Sequence, residues 1–145
     1  MKIITVSGAH SNIGKTTAVE YVLQRLKNWS ALKVTVVKDT PCPRNAHCGI
    51  CEEQDAPFSI VRDARIINKK GKDTQRMKAA GAKKVVWLKA RPSGLKAGLE
   101  KALRHFGGSD GVVIEGTSVL KHIKPDLGIF ISDKGKITID PAGYL

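Results

Sequence analysis

A phosphate-binding pattern follows the first apolar stretch of the chain. Ala9 is separated by four residues from Gly14-Lys15-Thr16, which is the spacing of a Walker A loop. In such a loop, backbone N–H groups at a helix N-terminus bind phosphate oxygens, the lysine reaches the β- and γ-phosphates, and the hydroxyl binds Mg²⁺. We therefore predict that nucleotide phosphates bind at Ala9, His10, Ser11, Asn12, Ile13, Gly14, Lys15, Thr16 and Thr17.

Two acidic residues are candidates for the Mg²⁺ that accompanies these phosphates. Glu115 ends an apolar β-branched run, and Asp39 follows a second strand-like segment. Ligands of α/β proteins bind at the carboxyl ends of parallel strands, and Mg²⁺ prefers oxygen ligands. We predict a Mg²⁺ site at Thr16, Glu115 and Asp39, with the acids contacting the water shell of the ion. The alternative for each acid is an ordinary loop carboxylate or a helix cap.

All the cysteines of the chain lie in one short segment. Cys42, Cys48 and Cys51 are separated by five and two residues, and His47 adjoins Cys48. Thiolates at such spacings bind zinc or an iron–sulfur cluster. We predict a metal site at the three cysteines, with His47 as an additional candidate ligand, although adjacent residues seldom both reach one metal. A redox pair with one spare thiol is the alternative.

Strand-like and helix-like segments alternate along the chain and must position these residues. The strand-like segments are residues 2–6, 33–38, 83–90, 110–116, 127–133 and 136–140, and the helix-like segments are residues 15–27, 72–82 and 93–106. Residues 58–67 suit a strand or a hairpin. In the 72–82 segment, we expect Asp73 or Thr74 to cap the helix and Gly81 to end it in the left-handed conformation.

This alternation predicts an α/β fold with a mostly parallel sheet and helices on both faces. Because the Walker A loop joins the first strand to the first helix, the predicted fold class is the three-layer P-loop NTPase fold. We expect a single nucleotide-binding domain over residues 1–145, with a Cys-rich irregular insert at about residues 40–57.

The chain is strongly basic, with 25 Lys and Arg against 13 Asp and Glu and a formal net charge of +12. Such a charge favours phosphorylated ligands, nucleic acid or an acidic partner, although scattered lysines also suit a solvated surface. An aromatic content of 5% argues against a base-stacking platform. The sequence contains no long apolar run and no secretory signal pattern, so we expect a cytoplasmic protein without a membrane partner.

Two further segments give the chain a family resemblance. Gly71-Lys72-Asp73-Thr74 opens a helix-like segment that ends Ala80-Gly81-Ala82, and a strand-like segment ends Glu115-Gly116. With the short phosphate loop and the acid after the second strand, these segments resemble the molybdopterin-guanine dinucleotide biosynthesis protein B family. The resemblance covers most of the chain in order, and residues 71–82 are its most specific part.

The resemblance implies a dimeric, Mg²⁺-dependent GTP-binding protein of molybdenum-cofactor assembly. Its partners would be the nucleotide, a pterin cofactor and the enzyme that attaches guanylate to the pterin, and any GTP or ATP hydrolysis would be slow. Lys38-Asp39-Thr40 departs from the Lys-His-Thr that is common in the family, and the Cys-rich insert is unusual for it. Residues 131–134 lack the Asn of a guanine-reading motif, so the choice between GTP and ATP is open.

Two other function classes also fit the sequence. One is an ATP-dependent small-molecule kinase or ligase on the same fold, which an acceptor that accelerates turnover would identify. The other is a metal-binding module that contacts nucleic acid, whose binding would depend steeply on salt and would persist without Lys15.

Overall fold

The computed structural model describes residues 1–10, 12–37, 56–133 and 135–140. The strands are β1 (Lys2–Gly8), β2 (Trp29–Val36), β3 (Phe58–Val61), β4 (Val85–Ala90), β5 (Gly111–Glu115), β6 (Leu127–Ile131) and β7 (Ile137–Asp140). The α-helices are α1 (Lys15–Arg25), α2 (Ala64–Ile67), α3 (Asp73–Ala79) and α4 (Leu95–Leu103), and 3₁₀ turns span Pro92–Gly94, Arg104–Phe106 and Ser118–Lys121.

The described strands form one mixed sheet in the order β3-β4-β2-β5-β1-β6-β7. The five inner strands are parallel, while β3 and β7 pair antiparallel at the two edges. Glu115 of β5 lies beside Val6 of β1 and beside Lys33 of β2 in the strand register. The carboxyl ends of the central strands therefore lie together at one end of the sheet, next to the loop that joins β1 to α1.

Helices cover both faces of the sheet because the inner strands are apolar on both sides. On one face, Val19 and Leu23 of α1 and Met77 of α3 pack against β1, β2 and β5. On the other face, Leu95 and Leu99 of α4 pack against β2, β4 and β5. The arrangement confirms the predicted α/β architecture, a mostly parallel sheet between two helical layers.

The segment from residue 58 to residue 67 differs from its expected form. It is neither a single strand nor a hairpin: β3 ends at Val61 and a short helix, α2, begins at Ala64. Asp63 stops the strand because its side chain accepts a hydrogen bond from the backbone N–H of Arg65 and caps α2. The second strand also begins earlier than expected, at Trp29 rather than at Lys33.

The end of α3 matches its prediction. Gly81 has a φ of +111°, its N–H donates to the Lys78 carbonyl, and the Ala82 N–H donates to the Met77 carbonyl. These two bonds form a Schellman motif, which satisfies the last carbonyls of the helix.

None of the helices in the described part of the chain has the length and apolar character that crossing a lipid bilayer requires.

Candidate functional site

The loop between β1 and α1, which the sequence predicts to be a phosphate loop, has two described residues in the left-handed backbone region. Asn12 has a φ of +61°, and Gly14 has a φ of +104° at the N-cap of α1. A non-glycine residue at position 14 would be strained in this region. Among the described residues, no side chain caps the N-terminus of α1. The backbone N–H groups at the start of this helix, beside Lys15 and Thr16, are therefore not capped by a side chain of the described residues.

Close contacts hold this loop against the ends of its neighbouring strands. A Cβ on Gly8 would lie 2.7 Å from the Ile13 side chain, so the fold-back of the loop requires glycine there. The Gly8 N–H donates to Thr117 Oγ1 (3.2 Å), and the Thr117 hydroxyl donates to the Gly8 carbonyl (3.0 Å). The Ala9 N–H donates to the Ile131 carbonyl of β6 (3.0 Å). Thr117, which the sequence did not single out, thus fixes the start of the loop.

Thr16 and Glu115 meet at the carboxyl edge of the sheet. The Thr16 hydroxyl lies 3.0 Å from Glu115 Oε2 and 3.2 Å from Oε1. Glu115 is only 2% exposed and Thr16 only 8%. A buried carboxylate requires compensating partners, because removing its charge from water is costly. The structure therefore brings together two of the residues that the sequence analysis assigned to Mg²⁺.

Lys33 supplies the positive charge that balances Glu115. Its Nζ lies 2.9 Å from Glu115 Oε1 and 2.6 Å from Asp73 Oδ2. Lys33 is on β2 directly beside Glu115, so both side chains point to the face that α1 and α3 cover. The sequence analysis missed this lysine, which joins the phosphate loop to the start of α3.

The prediction that Asp73 or Thr74 caps α3 is wrong. The N-cap residue is Lys72, which makes no side-chain cap, and Asp73 is already helical and binds Lys33 instead. The Thr74 hydroxyl donates to the Ile67 carbonyl at 2.8 Å and so anchors α3 to α2. Asp73 pairs with the partly buried ammonium of Lys33 instead of capping the helix, because a hydrogen bond between charged groups is stronger than one to a neutral N–H.

The pKa values of Lys33 and Asp73 shift in the directions that stabilise both charged forms. Burial disfavours the charged form of Lys33 and is the largest single influence, but Glu115 and Asp73 together outweigh it and raise the lysine pKa above 10.5. Burial likewise acts to raise the pKa of Asp73, yet bonds from Lys33 and Thr16 lower it below 3.8. Lys33 and Asp73 are therefore both charged at neutral pH.

α3 also contributes a cation to the first turn of α1. The guanidinium of Arg76 donates to the Thr17 hydroxyl at 3.1 Å and pairs with Glu20 of the same helix. Asp73 and Arg76 thus lie on one side of α3, and each contacts a residue at or beside the phosphate loop.

A cavity of about 320 Å³ opens at the carboxyl ends of β2 and β5. Lys15 and Lys33 line it together with Thr117 and Ser118. Lys15 beside two hydroxyls favours an anionic ligand with hydrogen-bonding oxygens, whereas the Lys33 ammonium is already paired with Glu115 and Asp73. The cavity lies next to the phosphate loop, at the edge of the sheet where α/β proteins bind ligands.

His10 lies at the outer rim of the loop. Its Nε2 is 2.9 Å from Asp133 Oδ1, and both side chains are more than half exposed. The contact joins the phosphate loop to the residues that follow β6. His10 therefore lies outside the hydrogen-bonded group formed by Thr16, Glu115, Lys33 and Asp73.

Several predicted site residues lie outside the described part of the chain. They are Ser11, Asp39, Cys42, His47, Cys48 and Cys51. Within the described ranges, no group of three or more His, Cys, Asp or Glu side chains could hold a metal ion. The Mg²⁺ donors that the described residues offer are Thr16 and Glu115, a hydroxyl and a carboxylate of the kind that Mg²⁺ accepts alongside phosphate oxygens and water.

No family model, curated protein or solved structure matches this chain. The interpretation of the site therefore depends on its own geometry.

Proposed function

We propose that this protein binds a purine nucleoside triphosphate, GTP in preference to ATP, together with Mg²⁺. The contact between Thr16 and Glu115 carries the proposal, because it puts a hydroxyl from the first turn of α1 against a buried acid. That pairing suits a Mg²⁺ ion held between protein oxygens and the β- and γ-phosphates. Lys15, beside the left-handed Gly14, would neutralise the phosphates.

The family resemblance suggests the biological setting of this nucleotide site. Gly71–Thr74 and Glu115-Gly116, the segments that carry the resemblance, are linked in space through Lys33, which binds both Asp73 and Glu115. We propose that the protein acts in the assembly of a molybdenum or tungsten cofactor, as a homodimer that works with a pterin and a partner enzyme. Calorimetry with GTP and ATP, each with and without Mg²⁺, tests the nucleotide site directly.

Glu115 gives a specific test of the proposed Mg²⁺ site. Glu115→Gln removes the charge and keeps the size, and Lys33 retains its bond to Asp73, so the fold should persist. We expect the variant to lose most of the Mg²⁺-dependent part of the GTP affinity, as measured by titrations with and without the ion. Glu100→Gln, the same change on an exposed position of α4, is the matched control. An unchanged Mg²⁺ dependence would make Glu115 a structural acid only.

A small-molecule kinase or ligase is the second candidate function. The cavity lined by Lys15 and Lys33 favours it, because an anionic acceptor there would lie beside the terminal phosphate. An acceptor that accelerates ATP turnover, with no effect on the Lys15→Ala variant, would identify this activity.

The cysteine segment remains a proposed metal site, holding zinc or an iron–sulfur cluster. Protein purified without oxygen should carry metal, and Cys42→Ser, Cys48→Ser and Cys51→Ser should each reduce it. His47→Ala is the internal control and should have a smaller effect, because its neighbour Cys48 already occupies the site. Well under one equivalent of metal per dimer, in both anaerobic and zinc-supplemented preparations, would leave a redox pair as the better interpretation.

A further inference from the structure

A second basic cavity lies at the opposite end of the sheet from the phosphate loop. It has a volume of about 270 Å³ and lies where β4 begins, whereas the phosphate loop lies where the parallel strands end. Its basic side chains come from four separate segments of the chain, and no acidic side chain of the described residues lines it. They are Arg62, Lys78, Lys83, Lys84 and His105.

Backbone carbonyls hold the lysines of this cavity in place. Lys78 donates to the carbonyls of Ala82 and Lys83, at 3.2 and 2.9 Å. Lys83 donates to the Gly108 carbonyl at 2.9 Å, and Lys84 donates to the carbonyls of His105 and Gly107, in and after the 3₁₀ turn that follows α4, at 3.3 and 3.1 Å. An ammonium has three N–H donors, so these bonds leave at least one on each lysine.

Hydrogen bonds hold the three lysines of the cavity, but these bonds do not neutralise their charge. Carbonyl oxygens carry no net charge, and within the described ranges neither Arg62 nor any of the three lysines forms a salt bridge. The pKa of His105 is lowered below 6.5, first by burial and then by the nearby cations Arg62, Lys101 and Lys84. Cations held together without counter-charges are preorganised for an anion, because little side-chain freedom is lost on binding.

One side of the cavity is the start of β4, where β3 does not pair with it. β3 pairs with β4 from Trp87 to Ala90, so the pairing stops before Val85 and Val86. These two residues, which are buried, line the cavity together with the basic side chains.

We propose that this cavity binds the phosphate group of a small phosphorylated ligand, at a site separate from the phosphate loop. Its concave shape and modest volume suit a small molecule better than a nucleic-acid backbone, which needs an extended basic surface. Of the residues that the structure describes, no Phe, Tyr or Trp lines the cavity, so these residues offer no platform on which a base could stack. The inference goes beyond the proposed nucleotide site and does not depend on it.

NMR titration of His105 tests the proposal with inorganic pyrophosphate as the probe. The titration uses the full-length Lys15→Ala variant, which removes the main phosphate ligand of the first site. Pyrophosphate in the cavity should raise the pKa of His105, because it offsets the nearby cations. The ring signals of His122, which does not line the cavity, should not move. A His105 titration curve that is unchanged by saturating pyrophosphate would overturn the proposal.

A pair of arginine variants separates the cavity from general surface charge. Arg62→Gln removes an exposed cation that lines the cavity, and Arg65→Gln removes one that lies three residues away and pairs with Asp63 instead. Arg62→Gln should weaken pyrophosphate binding about fivefold, the effect of losing one exposed charge contact, while Arg65→Gln should leave it unchanged. Equal effects of the two variants would contradict a defined site.

Two parallel measurements distinguish the other outcomes. A duplex oligonucleotide that shifts His105 when pyrophosphate does not would make the cavity a nucleic-acid contact and overturn the proposal. GTP affinity in Arg62→Gln, with Lys15 intact, should equal that of the wild type if the two sites are separate. Loss of GTP binding in that variant would instead mean that the cavity serves the nucleotide, which also contradicts the proposal.

Discussion

Replacing Lys15 with alanine should weaken GTP binding at least about tenfold, or by about 1.4 kcal/mol. Lys15 opens α1 directly after Gly14 and lines the cavity at the carboxyl ends of β2 and β5. Its ammonium is the flexible cation next to the uncapped helix N-terminus, where phosphate oxygens would gather. Calorimetry with Mg²⁺-GTP measures the loss, and the same loss should occur for ATP if ATP binds at the same loop.

Lys27→Ala is the matched control for this change. Lys27 is an exposed lysine just beyond the other end of α1, so the variant removes the same charge and leaves the phosphate loop intact. Its GTP affinity should equal that of the wild type. A Lys15→Ala protein that binds GTP as tightly as Lys27→Ala would end the assignment of residues 9–17 to nucleotide phosphates.

Replacing Lys33 with methionine should lower the free energy of unfolding by about 3 kcal/mol at neutral pH. The change leaves Glu115 buried without its cation, although Thr16 still donates to it. Methionine keeps the length and the apolar stem of the lysine, so the loss reports charge and hydrogen bonding rather than packing. Urea unfolding measures the difference, with Lys2→Met at an exposed strand position as the control.

A second substitution should rescue this variant. The double variant combines Lys33→Met with Glu115→Gln. Residue 115 is then uncharged, so no unpaired charge is buried there and much of the lost stability should return. If the double variant is as unstable as the sum of the two single variants, Lys33 and Glu115 do not stabilise each other.

The pH dependence of the Lys33 effect follows from the two pKa shifts. Because the pKa of Lys33 is raised in the folded protein, its contribution is full below 10.5 and is lost as the pH rises through the folded-state value. Because the pKa of Asp73 is lowered, its contribution is full above 3.8 and is lost as the pH falls through the folded-state value. The stability difference between wild type and Lys33→Met should therefore be largest between these limits and should shrink outside them.

The sequence predicted most of the elements because their local signals agree with the tertiary structure. Residues 15–27 repeat apolar side chains at helical spacing, and α1 spans Lys15–Arg25. The apolar run before Glu115 is β5, which is buried along its whole length. Gly81 ends α3 because glycine adopts a positive φ without strain. Where one residue type suits one conformation, the sequence was sufficient.

The centre of the site was harder to predict because it depends on strand register. A lysine inside an apolar strand suggests a solvent-facing position, yet Lys33 lies opposite Glu115, a residue 82 positions away in the sequence. Nothing local in residues 29–36 marks that pairing. For the same reason Asp73 was expected to act as a local cap, whereas the distant Lys33 binds it more strongly than the backbone does.

The position of β1 has a consequence for the order in which the protein folds. β1 precedes the other described strands in the sequence, but its partners are β5 and β6, beginning with Lys2 beside Gly111 and Ile4 beside Leu127. On the ribosome, β1 therefore cannot pair until β5 and β6 have been synthesised. The loop that follows β1 cannot close before then. Pairing between strands that lie so far apart in the sequence slows folding. It also leaves the apolar residues of β1 exposed during synthesis, when they can associate with other chains. A nascent-chain assay should accordingly detect nucleotide competence only after β6 has left the exit tunnel.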